Sequence, residues 1–301
     1  MLQTVDIPIA HINDAASVSA LIAALQGLHG PDYEFAIGQW EGETPILPRQ
    51  GRMIYRFIIE AAGAAVTLQP GDLIRGPAPA GPYRPLDGAF AHVTRLHREA
   101  LWPGDALTVE AKAGEGVRLA GRGVYFEVVT EQTAYRAPRL AMLRHLPDHP
   151  GGCAAYPGAF RRETLPPQRP GAADKDRRGL NRVNEHTLDM RFDRFPPPTR
   201  HYHGPLQGEG GQLLNHSEIA IVLSRSVYGL PEVDQPDRGH ARLYLRPAED
   251  PTDQVVVPLR PGFIVVTPAT AGQVVGHCFA NAFAMLVAIP GFIAPYNLIA
   301  D

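Results

Sequence analysis

Cysteine is almost absent from this chain. Two occur in 301 residues, Cys153 and Cys278, far apart and in no Cys-x-x-Cys pair. Their spacing indicates neither a disulfide framework nor a thiolate zinc site, and leaves Cys278 to pack within its strand. Long apolar runs are missing as well: no stretch approaches the about eighteen apolar residues of a membrane helix. The N-terminus carries Asp6 and Asp14 and no basic segment, so no signal peptide is expected. Charge of one sign is equally scarce. Charged residues make up 20% and the formal net charge is −3, which gives no electrostatic footprint for nucleic acid or an anionic membrane. No helix-turn-helix pattern accompanies the dispersed basic residues. The expectation is a soluble, cytoplasmic protein with a small-molecule partner.

What the chain has in quantity is chain breakers. Thirty Gly and thirty Pro leave room only for short elements joined by turns, which favours an all-β architecture. One helix is expected from Asp14 to Leu28: Asn13 or Asp14 can cap it, Val18, Leu21, Ile22 and Leu25 recur at helical spacing, and Gly27 and Gly30 stop it. Strands are expected at Met53–Glu60, Ala64–Leu68, Ala106–Ala111, Gly123–Thr130, Leu188–Phe192, Ile219–Ser224, Ala241–Leu245, Gln254–Pro258, Phe263–Thr267, Gln273–Ala280 and Phe283–Ile289. A chain of 301 residues more naturally forms two domains than one. Composition shifts to Pro-Gly-Gly and Pro-Pro clusters after Pro147, which divides the chain into a β domain over residues 1–150, a linker over 151–183 and a second β domain over 184–301. Related Pro-Gly turns at Leu68–Asp72, Leu101–Asp105 and Leu259–Phe263 fall on both sides of that boundary and hint at two related domains.

The most informative residues lie in the second half. His201 and His203 alternate onto one face of a strand, and a partner strand carrying Glu218 can close a polar pocket around one ion. Twelve histidines make a chance His-x-His unremarkable; the order of imidazoles, carboxylate, Pro-Gly turn, β run and His277 carries the information. His216 shares the strand face of Glu218. In the first half, His97 and Glu99 are the nearest equivalent and read as a surface pair.

The C-terminal portion resembles the cupin superfamily of small β-barrels. The matching residues are His201, His203 and Glu218 of its first motif, and Gly262, Pro268, His277 and Asn281 of its second. Resemblance implies two jelly-roll barrels, the N-terminal one degenerate, with a divalent transition metal (Zn, Mn, Fe, Ni or Co) in the mouth of the C-terminal one and a homo-oligomeric state. The sequence departs from the pattern twice. Glu218 lies farther from His203 than usual, leaving Glu209 as a nearer rival. Gln273 stands at the usual spacing from Pro268, so it rivals His277 as the fourth ligand.

Such a centre leaves open positions for an oxygen-bearing substrate, and two chemistries compete. A metal-polarised carbonyl with a proton moved between carbons gives an aldose–ketose type isomerase acting on a sugar or sugar acid. The layout, with the short segment Asp176–Asn181, resembles the 5-keto-4-deoxyuronate and 5-deoxyglucuronate isomerases. A ferrous ion would instead suit a dioxygenase of a chelating aromatic, hydroxy or keto acid, and a metal-free sugar-binding or regulatory barrel is a third reading. His216 and Glu209 are the candidate proton carriers. Arg225, Arg242 and Tyr228 are the candidate substrate contacts.

Overall fold

The structure, a computed structural model, describes residues 7–76, 81–87, 90–110, 116–131, 137–146, 149–150, 159–165, 181–187, 202–203, 206–207, 213–224, 242–247, 255–269, 275–280 and 282–289. At several strand positions, among them His203, His216 and His277, it describes the backbone alone. Among the described residues the chain is all-β apart from one α-helix, Ala15–His29, and two short 3-10 segments. No described helix is long and apolar enough to cross a membrane.

The helix starts where the sequence places its cap. Asp14 Oδ1 accepts the Ala16 N–H at 3.1 Å and the Asp14 carbonyl accepts that of Val18 at 3.0 Å, so orphan donors of the first turn are satisfied. Hydrogen bonds from Ser17, then from the Ala16 backbone, hold the Asp14 carboxyl below its ordinary range. Leu21 and Leu25 are buried, and Gly30 takes a φ of 67° just past the last turn.

The chain divides into two compact units. One consists of Met1–Ala24, Asp148–Arg162 and Pro166–Asp301, the other of Leu25–Pro147 and Glu163–Leu165. The boundary near residue 150 is therefore crossed by the chain's opening: strand Ile9–His11 pairs antiparallel with Phe263–Val265, adding an edge to the C-terminal sheet. The expected linker 151–183 likewise contains a strand, Ala159–Leu165, paired with His149–Pro150. Strand Ile9–His11 rests on a partner distant in sequence, which local periodicity cannot reveal. The expected strand Leu188–Phe192 lies outside the described residues.

In the N-terminal unit, the sites of the two expected strands Met53–Glu60 and Ala64–Leu68 belong to one strand, Arg52–Leu68. Its long partner Val117–Glu131 runs beside it, and the register shifts between Ala120 and Arg122. There Gly121 has φ 76° and Gly63 φ 58°, and a Cβ on Gly121 would lie 2.3 Å from the Gly63 carbonyl oxygen. Glycine at this crossing lets the ribbon bend without ending. One face carries Ile54, Ile58, Val66 and Leu68 into a core with Leu107, Val109 and Val129. The other carries a ladder of Tyr33, Phe35, Phe126, Phe57 and Tyr55, with successive rings 6.2 to 6.4 Å apart.

The three Pro-Gly turns are alike in detail. Gly71, Gly104 and Gly262 have φ of 92°, 93° and 89°, the left-handed value that the third position of a type II turn requires. In each, the residue after Gly donates back across the turn: Asp72 to Gln69, Asp105 to Trp102 and Phe263 to Arg260, at 3.0 to 3.1 Å. Each Gly N–H also donates to a neighbouring strand, at Val93, Ile58 and Val222 respectively. The first two turns add an Asp carboxylate that accepts the N–H of Gln69 or Trp102; the third has Phe263 there instead.

The C-terminal unit has a seven-stranded and a four-stranded sheet. Ala220, Val222, Val265, Ala284 and Leu286 of the first share one core with Leu243, Leu245 and Val257 of the second. This shared core defines which face of each sheet looks inward.

Two glycines separate local preference from close approach. Gly27, inside the helix with nothing within 4 Å of an added Cβ, gains about 0.5–1 kcal/mol of stability as Gly27→Ala. Gly121→Ala loses more than about 1 kcal/mol, because the Gly63 carbonyl blocks the methyl and φ is positive. Urea unfolding of both variants checks this; shifts of the same sign would contradict it.

Candidate functional site

Strand His216–Val222 runs between Phe263–Ala269 and Phe283–Ile289. Residues directly opposite one another share a face, so the row Ala288, Glu218, Thr267 lies on the inward face marked by Ala220 and Val222. His216, opposite Ala269, belongs to the same face. Glu218 is half-buried there. Its nearest register neighbours are small, Ala220, Ala288 and Thr267, which leaves room beside a carboxylate in an otherwise apolar wall.

The four-stranded sheet supplies the facing wall. His277 is opposite Leu245, a core residue, and His203 is opposite Val275, two residues before His277 on the same strand. His203 and His277 thus hold diagonal register positions, and Tyr202 is opposite Gly276. Strand Phe263–Ala269 leaves the seven-stranded sheet at the end that holds Glu218 and His216. Strand Val275–Ala280 enters the four-stranded sheet at Val275, two residues before His277, after five connecting residues, a link of at most ~20 Å, and the two strands touch. The backbone positions of His203 and His277 in one sheet and of Glu218 in the other thus lie near the connection between these two strands.

Of the residues singled out from the sequence, His203, His216, Glu218 and His277 occupy this end. His201, Glu209, Gln273, Arg225 and Tyr228 lie outside the described residues. Arg242 lies in the four-stranded sheet opposite Pro258 and beside the buried Leu243. Among the described residues no group of three His, Cys, Asp or Glu side chains is placed to hold a metal ion, a set that does not include the side chains of His203, His216 and His277.

His97 and Glu99 also differ from expectation. Opposite Leu68 and Val66, they lie on the core-facing side of the N-terminal sheet, and Glu99 is the hub of a polar cluster rather than half of a surface pair. Its Oε2 meets the Tyr83 hydroxyl and His97 Nε2, the latter at 3.1 Å, and its Oε1 accepts from Arg144. Arg144 continues to the fully buried Asp105 carboxylate at 3.3 Å and to the Ala100 carbonyl at 3.0 Å. Asp105 Oδ1 accepts the Leu143 N–H at 2.9 Å. Burial, then the hydrogen bond to Glu99, pushes the Tyr83 phenol well above its usual value, so it remains a donor. Burial and the adjacent Arg144 lower His145. The sequence held a signal for this cluster in the Trp-Pro-Gly-Asp turn, whose Asp is the only acid placed to meet Arg144 from the turn.

No sequence-family model matches the chain, and no curated protein sequence matches it. Solved structures are similar over most of its length. Protein Ylba from E. coli is 10% identical, with a TM-score of 0.44 over 86% of this chain and 77% of that one. A vicilin from Corylus avellana (hazelnut) is 13% identical, with a TM-score of 0.41 over 86% and 75%. A salicylate 1,2-dioxygenase from Pseudaminobacter salicylatoxidans is 10% identical, with a TM-score of 0.44 over 94% and 83%. At these identities and scores no residue role or reaction passes from them to this chain.

Removing the hub of the N-terminal cluster leaves Arg144, 14% exposed, without one of its two carboxylates. Glu99→Ala is expected to cost about 2–4 kcal/mol of stability, and Glu99→Gln, which keeps an acceptor, less. Urea unfolding measures both; a change below about 0.5 kcal/mol for Glu99→Ala would mark a solvated pair.

Proposed function

We propose that the chain is a metal-dependent cupin enzyme, an aldose–ketose type isomerase acting on a sugar or sugar acid. One observation supports the reading above the others: by backbone register, His203 pairs with Val275 two residues before His277, and the strand holding Glu218's partner Thr267 leads to that same strand. Imidazole nitrogens with one carboxylate are a donor set suited to a divalent transition metal, and the small residues beside Glu218 fit an ion with a chelating substrate. His203, His277 and Glu218 would hold the ion, joined by His201 from the alternation of its strand, with Gln273 and Glu209 as the rival ligands. A divalent ion bound there supplies a Lewis acid that polarises a substrate carbonyl and acidifies the neighbouring C–H.

The remaining work falls to the chain. An isomerisation takes a proton from one carbon and returns it to the next, so one side chain must accept and then donate. His216, on the strand face of Glu218 and two residues from it, is placed for that role, and an imidazole titrates in the right range. Glu209 is the second candidate. Val222, Leu245 and Leu286 form an apolar core in the same unit, which would keep water from one side of the reacting carbons. Arg225 and Tyr228 remain candidate contacts for a substrate carboxylate or hydroxyl.

Elemental analysis of the purified chain tests the metal. About one equivalent is expected in the wild type and a large loss in His203→Ala and in Glu218→Ala. Stoichiometric metal retained by both variants would contradict the ligand assignment, and a metal-free wild type that still binds sugar would favour a binding barrel. Turnover without O₂ then separates the chemistries: an isomerase continues, whereas a ferrous dioxygenase stops.

A further inference from the structure

The chain's opening segment is laced to strand Phe263–Ala269 by a regular antiparallel ladder. Val266 N–H donates to the Pro8 carbonyl and Ile12 N–H to the Gly262 carbonyl, both at 3.0 Å. Bonded and non-bonded pairs alternate in such a ladder, so Pro8–Val266, Ala10–Ile264 and Ile12–Gly262 are the bonded pairs, and Ile9–Val265 and His11–Phe263 the closer, non-bonded ones. The edge-on contact of the His11 and Phe263 rings fits that assignment. Pro8, which has no N–H to give, stands where the strand begins and only its carbonyl is used.

The two partners are unequally anchored. Ile264, Val265 and Val266 are fully buried, whereas of residues 7–12 only Ala10 and Ile12 are buried. Ile7 and Ile9 rest on the core from its margin. Strand Phe263–Ala269 is held on its other side by six register pairs with His216–Ile221, and the opening segment has three. A segment with few buried contacts opens before the element it leans on. The edge it leaves, Phe263–Thr267, is apolar and uncharged, a template for another strand. We propose that this edge is a strand-acceptor site: the opening segment fills it, detaches without unfolding the unit, and is replaceable by the same segment of a second copy. Every copy carries both halves, matched residue by residue, which makes a second copy the occupant. Register sets the specificity, with isoleucines two places apart on the core side, at 7 and 9, and the small Ala10 on the other. The chain's own segment competes at an effective concentration in the ~mM range, so replacement is read where that pairing is weakened. This site does not rest on the metal reading.

Fluorescence anisotropy of a labelled peptide of residues 7–13, titrated with the full chain, tests it. Ala10→Pro in the chain removes the central N–H of the ladder. Saturable binding of the peptide to that variant, at least about tenfold tighter than to the wild type, is expected, and a peptide carrying Ile9→Asp is expected not to bind. No saturable binding to the Ala10→Pro chain, equal affinity for both chains, or equal binding of the Ile9→Asp peptide would overturn the proposal. If the Ala10→Pro chain does not fold, hydrogen exchange of the wild type decides. The Val266 N–H, whose acceptor is Pro8, should then be protected at least about tenfold less than the Gly262 N–H, whose acceptor is Val222. Equal protection means that the segment leaves only when the unit unfolds, and the proposal fails.

Discussion

Cross-strand register is the constraint on which everything else rests. A strand's side chains alternate with period two, so a slip of one residue would move a whole row to the opposite face. In the C-terminal unit the pairing of Glu218 with Thr267 and Ala288 is fixed by the apolar residues that follow it, Ala220 and Val222, which must meet Leu243 and Leu245 across the core. The same demand fixes His277 opposite Leu245. Burial of aliphatic side chains, worth roughly 1.5–3 kcal/mol each, thereby positions polar groups that contribute little to stability themselves.

The two units use one turn for different ends. Each Pro-Gly turn docks its glycine N–H on a neighbouring strand. In the N-terminal unit Asp72 and Asp105 follow the glycine and pair with Arg139 and Arg144, tying the turns to a distant segment. In the C-terminal unit Phe263 takes that position and packs edge-on to His11 at 5.1 Å, joining the turn to the strand Ile9–His11. Shared backbone geometry with exchanged side-chain partners is consistent with two related β domains that diverged in what they hold together.

Much of this was legible in the sequence. A helix cap at Asn13 or Asp14 and the strand Phe283–Ile289 follow from local pattern; the structure puts the cap at Asp14 and the strand where expected. What could not be read depends on partners far away in the chain. Strand Ile9–His11 is too short to announce itself, and Arg52–Leu68 continues through Gly63 only because Gly121 crosses it. Which face of the strand of Arg242 is inward is likewise set by the burial of Leu243 beside it, which charge alone does not reveal. His97 and Glu99 looked solvated because Tyr83 and Arg144, their partners, are remote in sequence.

The central claim is that the two sheets of the C-terminal unit bring their histidines and Glu218 to one end of a single core. Histidine-selective NMR of the full chain during Mn²⁺ addition tests it most directly. The account predicts that one equivalent broadens His203 and His277 together while His92, His97 and His145 stay sharp. Sharp His203 and His277 signals at that stoichiometry, or broadening of only one of them, would contradict it.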